Sequence, residues 1–189
     1  MPERLFVAVG LPEPLMEPIS RWEQEAELTR SGWRLTPVQE LHMTLSFFGA
    51  TPQDRVSVLR RRLARLSRDW PGMQLLVRGW GVFPPAGRPR ILWLGVAGEL
   101  DALTALARAT DEAAQGLIPD RSSRAFRPHI TLARRRSQVS VHLPGRPNSV
   151  SPQIGAFVVD RMRLYRSVLT SAGARHEKIE TFPLTGEPT

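Results

Sequence analysis

The chain contains no cysteine. Disulfides, thiol nucleophiles and cysteine-ligated zinc or iron–sulfur centres are excluded, and cysteine usage leaves the redox compartment open. Lysine is almost as scarce, because Lys178 is the only one among 26 basic residues. Histidine occurs four times, at 42, 129, 142 and 176. No segment approaches the roughly 18 consecutive apolar residues of a membrane-spanning helix. The opening run Leu5–Val9 is too short for a signal peptide and ends at Pro12. A soluble, cytoplasmic protein without a membrane partner is expected.

What remains is enough for a core. With 189 residues and 41% hydrophobic content, the chain can form one compact domain or two intimately packed lobes. The net charge of +8 is carried by arginine. Guanidinium is a planar, bidentate ligand for phosphate, so the charge fits an RNA or nucleotide partner. Most of the excess of arginine over lysine is attributed to a compositional bias that also favours Ala, Gly and Pro, and the net positive charge carries some functional weight.

Taken in order, Leu5–Val9 reads as a buried strand. A helix beginning near Pro12 and Pro14 follows, with Ile19, Trp22, Ala26 and Leu28 turned inward. Trp33 and Leu35 suggest a short strand, and Leu41–Phe48 a longer one ending at Gly49. Thr51-Pro52-Gln53-Asp54 has the form of a helix start, with Thr51 as cap, and Val56, Leu59, Leu63 and Leu66 recur at helical spacing. Arg60, Arg61 and Arg62 between them read as a solvated face. Met73–Trp80 and Arg90–Ala97 read as strands joined by a Pro/Gly loop, and Leu100, Leu103, Ala107, Ala114 and Leu117 mark another helix. Asp120–Ala125 is polar and leads into a strand at His129. Arg134-Arg135-Arg136 and a Pro/Ser/Gly-rich connection then precede closing strands at Ile154–Leu164 and Ile179–Leu184. Helices interspersed with strands in this way indicate an α+β fold with mostly antiparallel sheets.

One short pattern occurs twice: His42-Met43-Thr44-Leu45 and His129-Ile130-Thr131-Leu132. Strand side chains alternate between faces. His42 and Thr44 therefore share one face, and Met43, Leu45 and Phe47 form the other, as core. In the second copy Arg127, His129 and Thr131 share a face opposite Ile130 and Leu132. The copies lie 87 residues apart, close to half the chain, which suggests two similar lobes. On the pattern alone, a paired active site and two structural histidines both stand. The context of His142 and His176 reads as structural or solvent-facing.

The paired motifs resemble the signature of the two-histidine (2H) phosphoesterase superfamily, and within it the RNA 2′,3′-cyclic phosphodiesterases, also called 2′-5′ RNA ligases. The likeness extends through Arg4-Leu5-Phe6-Val7-Ala8-Val9, Arg90-Ile91-Leu92-Trp93-Leu94-Gly95, Phe126-Arg127-Pro128 before the second motif, and Leu164-Tyr165-Arg166-Ser167. It implies a bilobal domain spanning residues 1–189. Two pseudo-symmetric lobes of mostly antiparallel sheet, with helices outside, would face each other across a central cleft. The implied activity is hydrolysis of the 2′,3′-cyclic phosphodiester end of an RNA or nucleotide to a 2′-phosphomonoester, with 2′-5′ ligation as its reverse. No cofactor or metal is implied, and a monomer is expected.

Opening such a ring with water needs a base for the attacking water, an acid for the leaving ribose oxygen, and donors for the phosphoryl oxygens. Imidazole titrates near neutrality and suits either proton role. The resemblance implies His42 as proton donor and His129 as proton acceptor; the residues themselves do not order the two. Thr44 and Thr131 are candidate donors to phosphoryl oxygens, Arg127 a cationic donor, and Tyr165 a substrate contact. Tyr165 and Phe48 could stack on a base or simply pack. One alternative is a non-catalytic module that binds RNA-end or nucleotide phosphate. Another, a metal hydrolase built on the same histidines, has only Glu40 as a nearby carboxylate at ligand spacing.

Overall fold

Alternation of buried and open positions resolves the chain into strands β1 (Glu3–Gly10), β2 (Trp33–Leu35), β3 (His42–Thr51), β4 (Met73–Phe83), β5 (Ile91–Gly98), β6 (His129–Arg135), β7 (Gln153–Val159), β8 (Arg161–Thr170) and β9 (Gly173–Pro183). Helices α1 (Met16–Glu25), α2 (Gln53–Arg68) and α3 (Leu100–Glu112) complete the fold. The computed structural model describes residues 2–30, 32–118, 125–136, 139–144, 152–170 and 173–187. Most of the polar segment before His129, and part of the Pro/Ser/Gly-rich connection after Arg136, lie outside them.

Among the described residues the strands form two antiparallel sheets. Sheet A has the order β3-β1-β8-β9, and sheet B the order β2-β6-β5-β4-β7. The two share a register rule. In sheet A, His42 pairs with Gly10, Thr44 with Ala8 and Phe47 with Phe6. In sheet B, His129 pairs with Gly95, Thr131 with Trp93 and Arg134 with Ile91. Next come β8 in sheet A, where Tyr165 opposes Phe6, and β4 in sheet B, where Phe83 opposes Ile91. Motif strand, central strand and third strand thus correspond one to one, and the fold is the bilobal, pseudo-symmetric α+β arrangement that the motif spacing predicts.

The backs of the sheets carry the core. Leu5, Val7, Val9, Met43, Phe48, Met162 and Leu164 are buried in sheet A, and Leu75, Val77, Leu92, Leu94, Ile130 and Leu132 in sheet B. α3 packs on β3, α2 on β9, and α1 against β7. The inner stripes of α2 and α3 follow the expected spacing, with Leu59, Leu63, Leu103 and Leu106 fully buried; truncating one of these to Ala costs about 2–5 kcal/mol. The outer face of α2 is solvated, with Arg60 bridging to Glu180 of β9.

Three local expectations fail. Thr51 does not cap α2: it is the last residue of β3, held opposite Glu3, and its hydroxyl donates to the Gly49 carbonyl at 3.4 Å. The helix starts after Pro52 with no side-chain cap. The closing run expected over Ile154–Leu164 is two strands in different sheets. The chain leaves sheet B at Val159 and enters sheet A at Arg161, and the Asp160 carbonyl between them accepts from the Leu184 amide at 2.8 Å. The final strand begins at Gly173 rather than Ile179, because its pairing with β8 continues to Thr170 opposite Gly173.

Candidate functional site

Each motif strand breaks its own alternation at the same place. The pairing of β1 with β3 skips Leu45, and that of β5 with β6 skips Leu132. These are β-bulges three residues after each histidine. A bulge adds one residue and turns the following side chains to the opposite face. The residue five past each histidine therefore joins the histidine's own face, as Phe47 in sheet A and Arg134 in sheet B. The expectation that Phe47 is core is overturned: Phe47 is 66% exposed, and Phe48, which could have stacked on a base, is 1% exposed. The buried pairs Leu45-Ser46 and Leu132-Ala133 are the sequence trace of the bulges.

The two histidines are held alike. His42 Nδ1–H donates to the Glu40 carbonyl at 2.8 Å, and His129 Nδ1–H to the Arg127 carbonyl at 2.6 Å. A carbonyl only accepts, so each contact fixes the proton on Nδ1 and leaves Nε2 for the cleft. Strands β3 and β6 touch, and Arg134 of β6 acts electrostatically on His42 of β3, so the two motif strands border one region. Thr44 and Thr131 are half-buried beside them. Arg127 is exposed and precedes the strand; its backbone carbonyl is the contact to His129.

Around His42 lies an aromatic cluster. Its ring is 5.3 Å from Phe6 and 5.9 Å from Tyr165, and Tyr165 stacks on Phe6 at 5.1 Å. The edge of His176 reaches Phe6 at 4.9 Å and His42 at 5.4 Å. His42 is on β3 and His176 on β9, the opposite edges of sheet A. Flat strands spaced about 4.8 Å apart could not bring these rings together; the sheet is curled, and its concave face gathers them. His176, read from its context as structural or solvent-facing, therefore lies against His42, whereas His142 is exposed. Sheet B has a sparser counterpart, with His129 edge-on to Phe83 at 5.2 Å and to Trp93 at 6.5 Å. The Trp93 indole lies over Gly81, where a Cβ would sit 2.2 Å from the ring.

Burial pushes the His42 imidazolium down from its ordinary range; His176 and Arg134 add to the effect, and the Glu40 carbonyl opposes it. His176 is lowered by burial first and then by Arg134. Arg134 thus acts electrostatically on both, although it belongs to the other sheet. Its own cation is disfavoured by partial burial and then by Arg34, which pairs with it from β2. A phosphate between the walls would relieve that repulsion. Sequence reasoning missed Arg134 and Phe47 because it assumed unbroken alternation, and missed His176 because curvature leaves no local mark.

No group of three or more His, Cys, Asp or Glu among the described residues could hold a metal ion, and no described helix is long and apolar enough to cross a membrane.

The model of the 2′-5′ RNA ligase superfamily matches residues 11–168. The RNA 2′,3′-cyclic phosphodiesterase of Aquifex aeolicus is 32% identical over 188 residues, covering 97% of this chain and 98% of the relative. The protein of that name from Thermus thermophilus is 32% identical, covering 97% and 91%. Among solved structures, TT0787 of Thermus thermophilus superposes with a TM-score of 0.82 at 30% identity, covering 98% of this chain and all of the other. Escherichia coli LigT complexed with 3′-AMP superposes with a TM-score of 0.78 at 27% identity, covering 98% and 99%.

Proposed function

The chain belongs to the 2′-5′ RNA ligase superfamily, and from that premise we propose that it hydrolyses the 2′,3′-cyclic phosphodiester at the end of an RNA to a 2′-phosphomonoester. The observation that carries this reading is the matched pair of imidazoles, each with Nδ1 tied to the carbonyl two residues upstream and Nε2 left for the cleft. A module that only binds phosphate needs donors; it does not need two imidazoles fixed in the same tautomer on opposite walls.

In the proposed reaction a water oxygen attacks phosphorus and the bond from phosphorus to the ribose 3′-oxygen breaks. His129 Nε2 takes the proton from the water, and His42 Nε2–H gives one to the departing oxygen. The acid must be charged when substrate binds, whereas burial favours neutral His42 in the empty cleft. The phosphate supplies the correction, because an anion beside an imidazole stabilises its cation. The Thr44 and Thr131 hydroxyls and the Arg134 guanidinium stabilise the non-bridging oxygens as charge builds. Tyr165 braces His42 with its ring and meets the substrate through its hydroxyl, Phe47 offers an open face to the terminal base, and Arg127 contributes charge at the rim. With the 5′-hydroxyl of a second RNA in place of water, the same ring opening would join two ends through a 2′-5′ linkage: His129 would take the hydroxyl proton and His42 would again protonate the departing 3′-oxygen. The reading is of a monomer acting on RNA ends in the cytoplasm.

Turnover of a 2′,3′-cyclic mononucleotide by His42→Ala and His129→Ala tests the pair. Each should fall at least about a hundredfold, the scale of a lost general acid or base, and the double variant should be little worse than either single one. Near-normal turnover in either single variant sinks the two-histidine mechanism.

A further inference from the structure

The chain crosses from sheet B to sheet A at Asp160, and beside that crossing a cavity of about 170 Å³ opens between the end of β1 and the start of β8. We propose that it is a second phosphate subsite, in which Arg163 holds the internucleotide phosphodiester one step 5′ of the cyclic end. The proposal rests on the RNA-end reading above and extends it: the substrate is an oligonucleotide rather than a mononucleotide.

Charge comes first. The lining includes Asp160, Arg161 and Arg163. Asp160 is taken up by Arg161, whose Nε and Nη2 donate to its two carboxylate oxygens at 2.7 and 2.6 Å. Arg163 makes no such pair of hydrogen bonds: its charge also acts on Asp160, but its buried Nε has no hydrogen-bond partner among the described residues. Buried donors are costly to leave unmade, so the cavity carries one net positive charge and a guanidinium with hydrogen-bonding capacity to spare. Planar guanidinium is the side chain suited to a phosphodiester. The remaining wall, from Val9, Leu11, Pro12 and Val158, is apolar and would receive the edge of a sugar.

Position comes second. Arg163 pairs with Ala8, and Ala8 pairs in turn with Thr44. The backbone of Arg163 is thus two strand spacings, roughly 10 Å, from the motif strand. Its guanidinium lies across Gly10, the partner of His42, where a Cβ would come within 2.0 Å of Nη1. A side chain at this position would push the guanidinium aside. A group bound in this cavity adjoins the phosphorus under attack without being it. A 2′,3′-cyclic phosphate terminates an RNA, so everything beyond the terminal nucleoside lies on its 5′ side. The next anion along the chain is an internucleotide phosphodiester.

The test compares a mononucleotide 2′,3′-cyclic phosphate with a dinucleotide ending in the same group. Wild type should have the higher kcat/KM on the dinucleotide. In Arg163→Gln the dinucleotide-to-mononucleotide ratio should fall about tenfold, Arg163→Lys should recover part of it, and Gly10→Ala should lower it by displacing the guanidinium. A second arm measures affinity for a dinucleotide ending in a 2′-phosphate and does not depend on turnover. Its slope against log salt should weaken by about 0.7 in Arg163→Gln, the value for one phosphate contact on a single strand. An unchanged ratio, or an unchanged salt slope, overturns the subsite. If wild type cleaves neither substrate, the cyclic phosphodiesterase reading fails, and the affinity arm still decides whether Arg163 binds a second phosphate.

Discussion

Replacing Arg134 by Gln tests both the bulge and the electrostatics of the cleft. The bulge at Leu132 puts this guanidinium on the face of His129 and Thr131, where it can donate to a phosphoryl oxygen. Losing one hydrogen bond to a charged group costs about 1.5–3 kcal/mol, which is about 10- to 150-fold in kcat/KM. Arg134→Lys should retain the charge but lose the fork, and fall between the two. The pH dependence says more. Arg134 depresses the imidazolium of His42 and of His176, so its removal must let both titrate at higher pH. The profile of kcat/KM reports the free enzyme. If His42 is the acid, the alkaline limb moves up in Arg134→Gln; if the acid limb moves instead, His42 is the base and the two roles must be exchanged. The assay is hydrolysis of a 2′,3′-cyclic mononucleotide from about pH 5 to pH 9. Turnover within twofold of wild type at every pH would refute the placement of Arg134 in the cleft.

Two further outcomes are expected. Glu23 in α1 is buried, its Oε1 has no hydrogen-bond partner among the described residues, and burial raises its pKa from 4.5 to about 7. The folded state therefore binds the proton more tightly than the unfolded chain, and stability falls as pH rises from about 4.5 to 7 and stays lower above that. The shift corresponds to at most about 3 kcal/mol, reduced by partial access to water to about 1–2 kcal/mol. Glu23→Gln should raise Tm by about 4 °C at pH 8 and by much less at pH 4.5; equal gains at both would show that the carboxylate is not the cause. Turnover should also survive excess EDTA, because the described residues offer no ligand cluster for a metal. Activity restored only by added Zn²⁺ or Mn²⁺ would reverse that reading.

The doubled His-x-Thr pattern was legible because it needs only alternation along a strand, and the sheets keep that alternation from His42 to Thr44 and from His129 to Thr131. Lobe symmetry was legible from the spacing of the motifs. Alternation failed one residue later, since a bulge is a change in pairing and shows in the chain only as two adjacent buried residues. That one shift exchanges Phe47 with Phe48 and brings Arg134 into the cleft. His176 depended on something less local still, the curl of a four-stranded sheet that brings its two edges together over Phe6. The break at Asp160 was hidden for a related reason, because one extended run reads the same whether it stays in one sheet or passes between two. Thr51 had the chemistry of a cap, but the pairing of β1 with β3 kept it in the strand.

The central claim is that two facing histidines open a cyclic phosphate toward the 2′ side. Phosphorus NMR of the purified protein incubated with a 2′,3′-cyclic mononucleotide measures this directly, since it follows loss of the cyclic resonance and identifies the product isomer. Conversion to the 2′-monoester alone is expected, with no conversion in the His42→Ala and His129→Ala variants over the same interval. A 3′-monoester product, or a cyclic resonance that wild type leaves untouched, would contradict it.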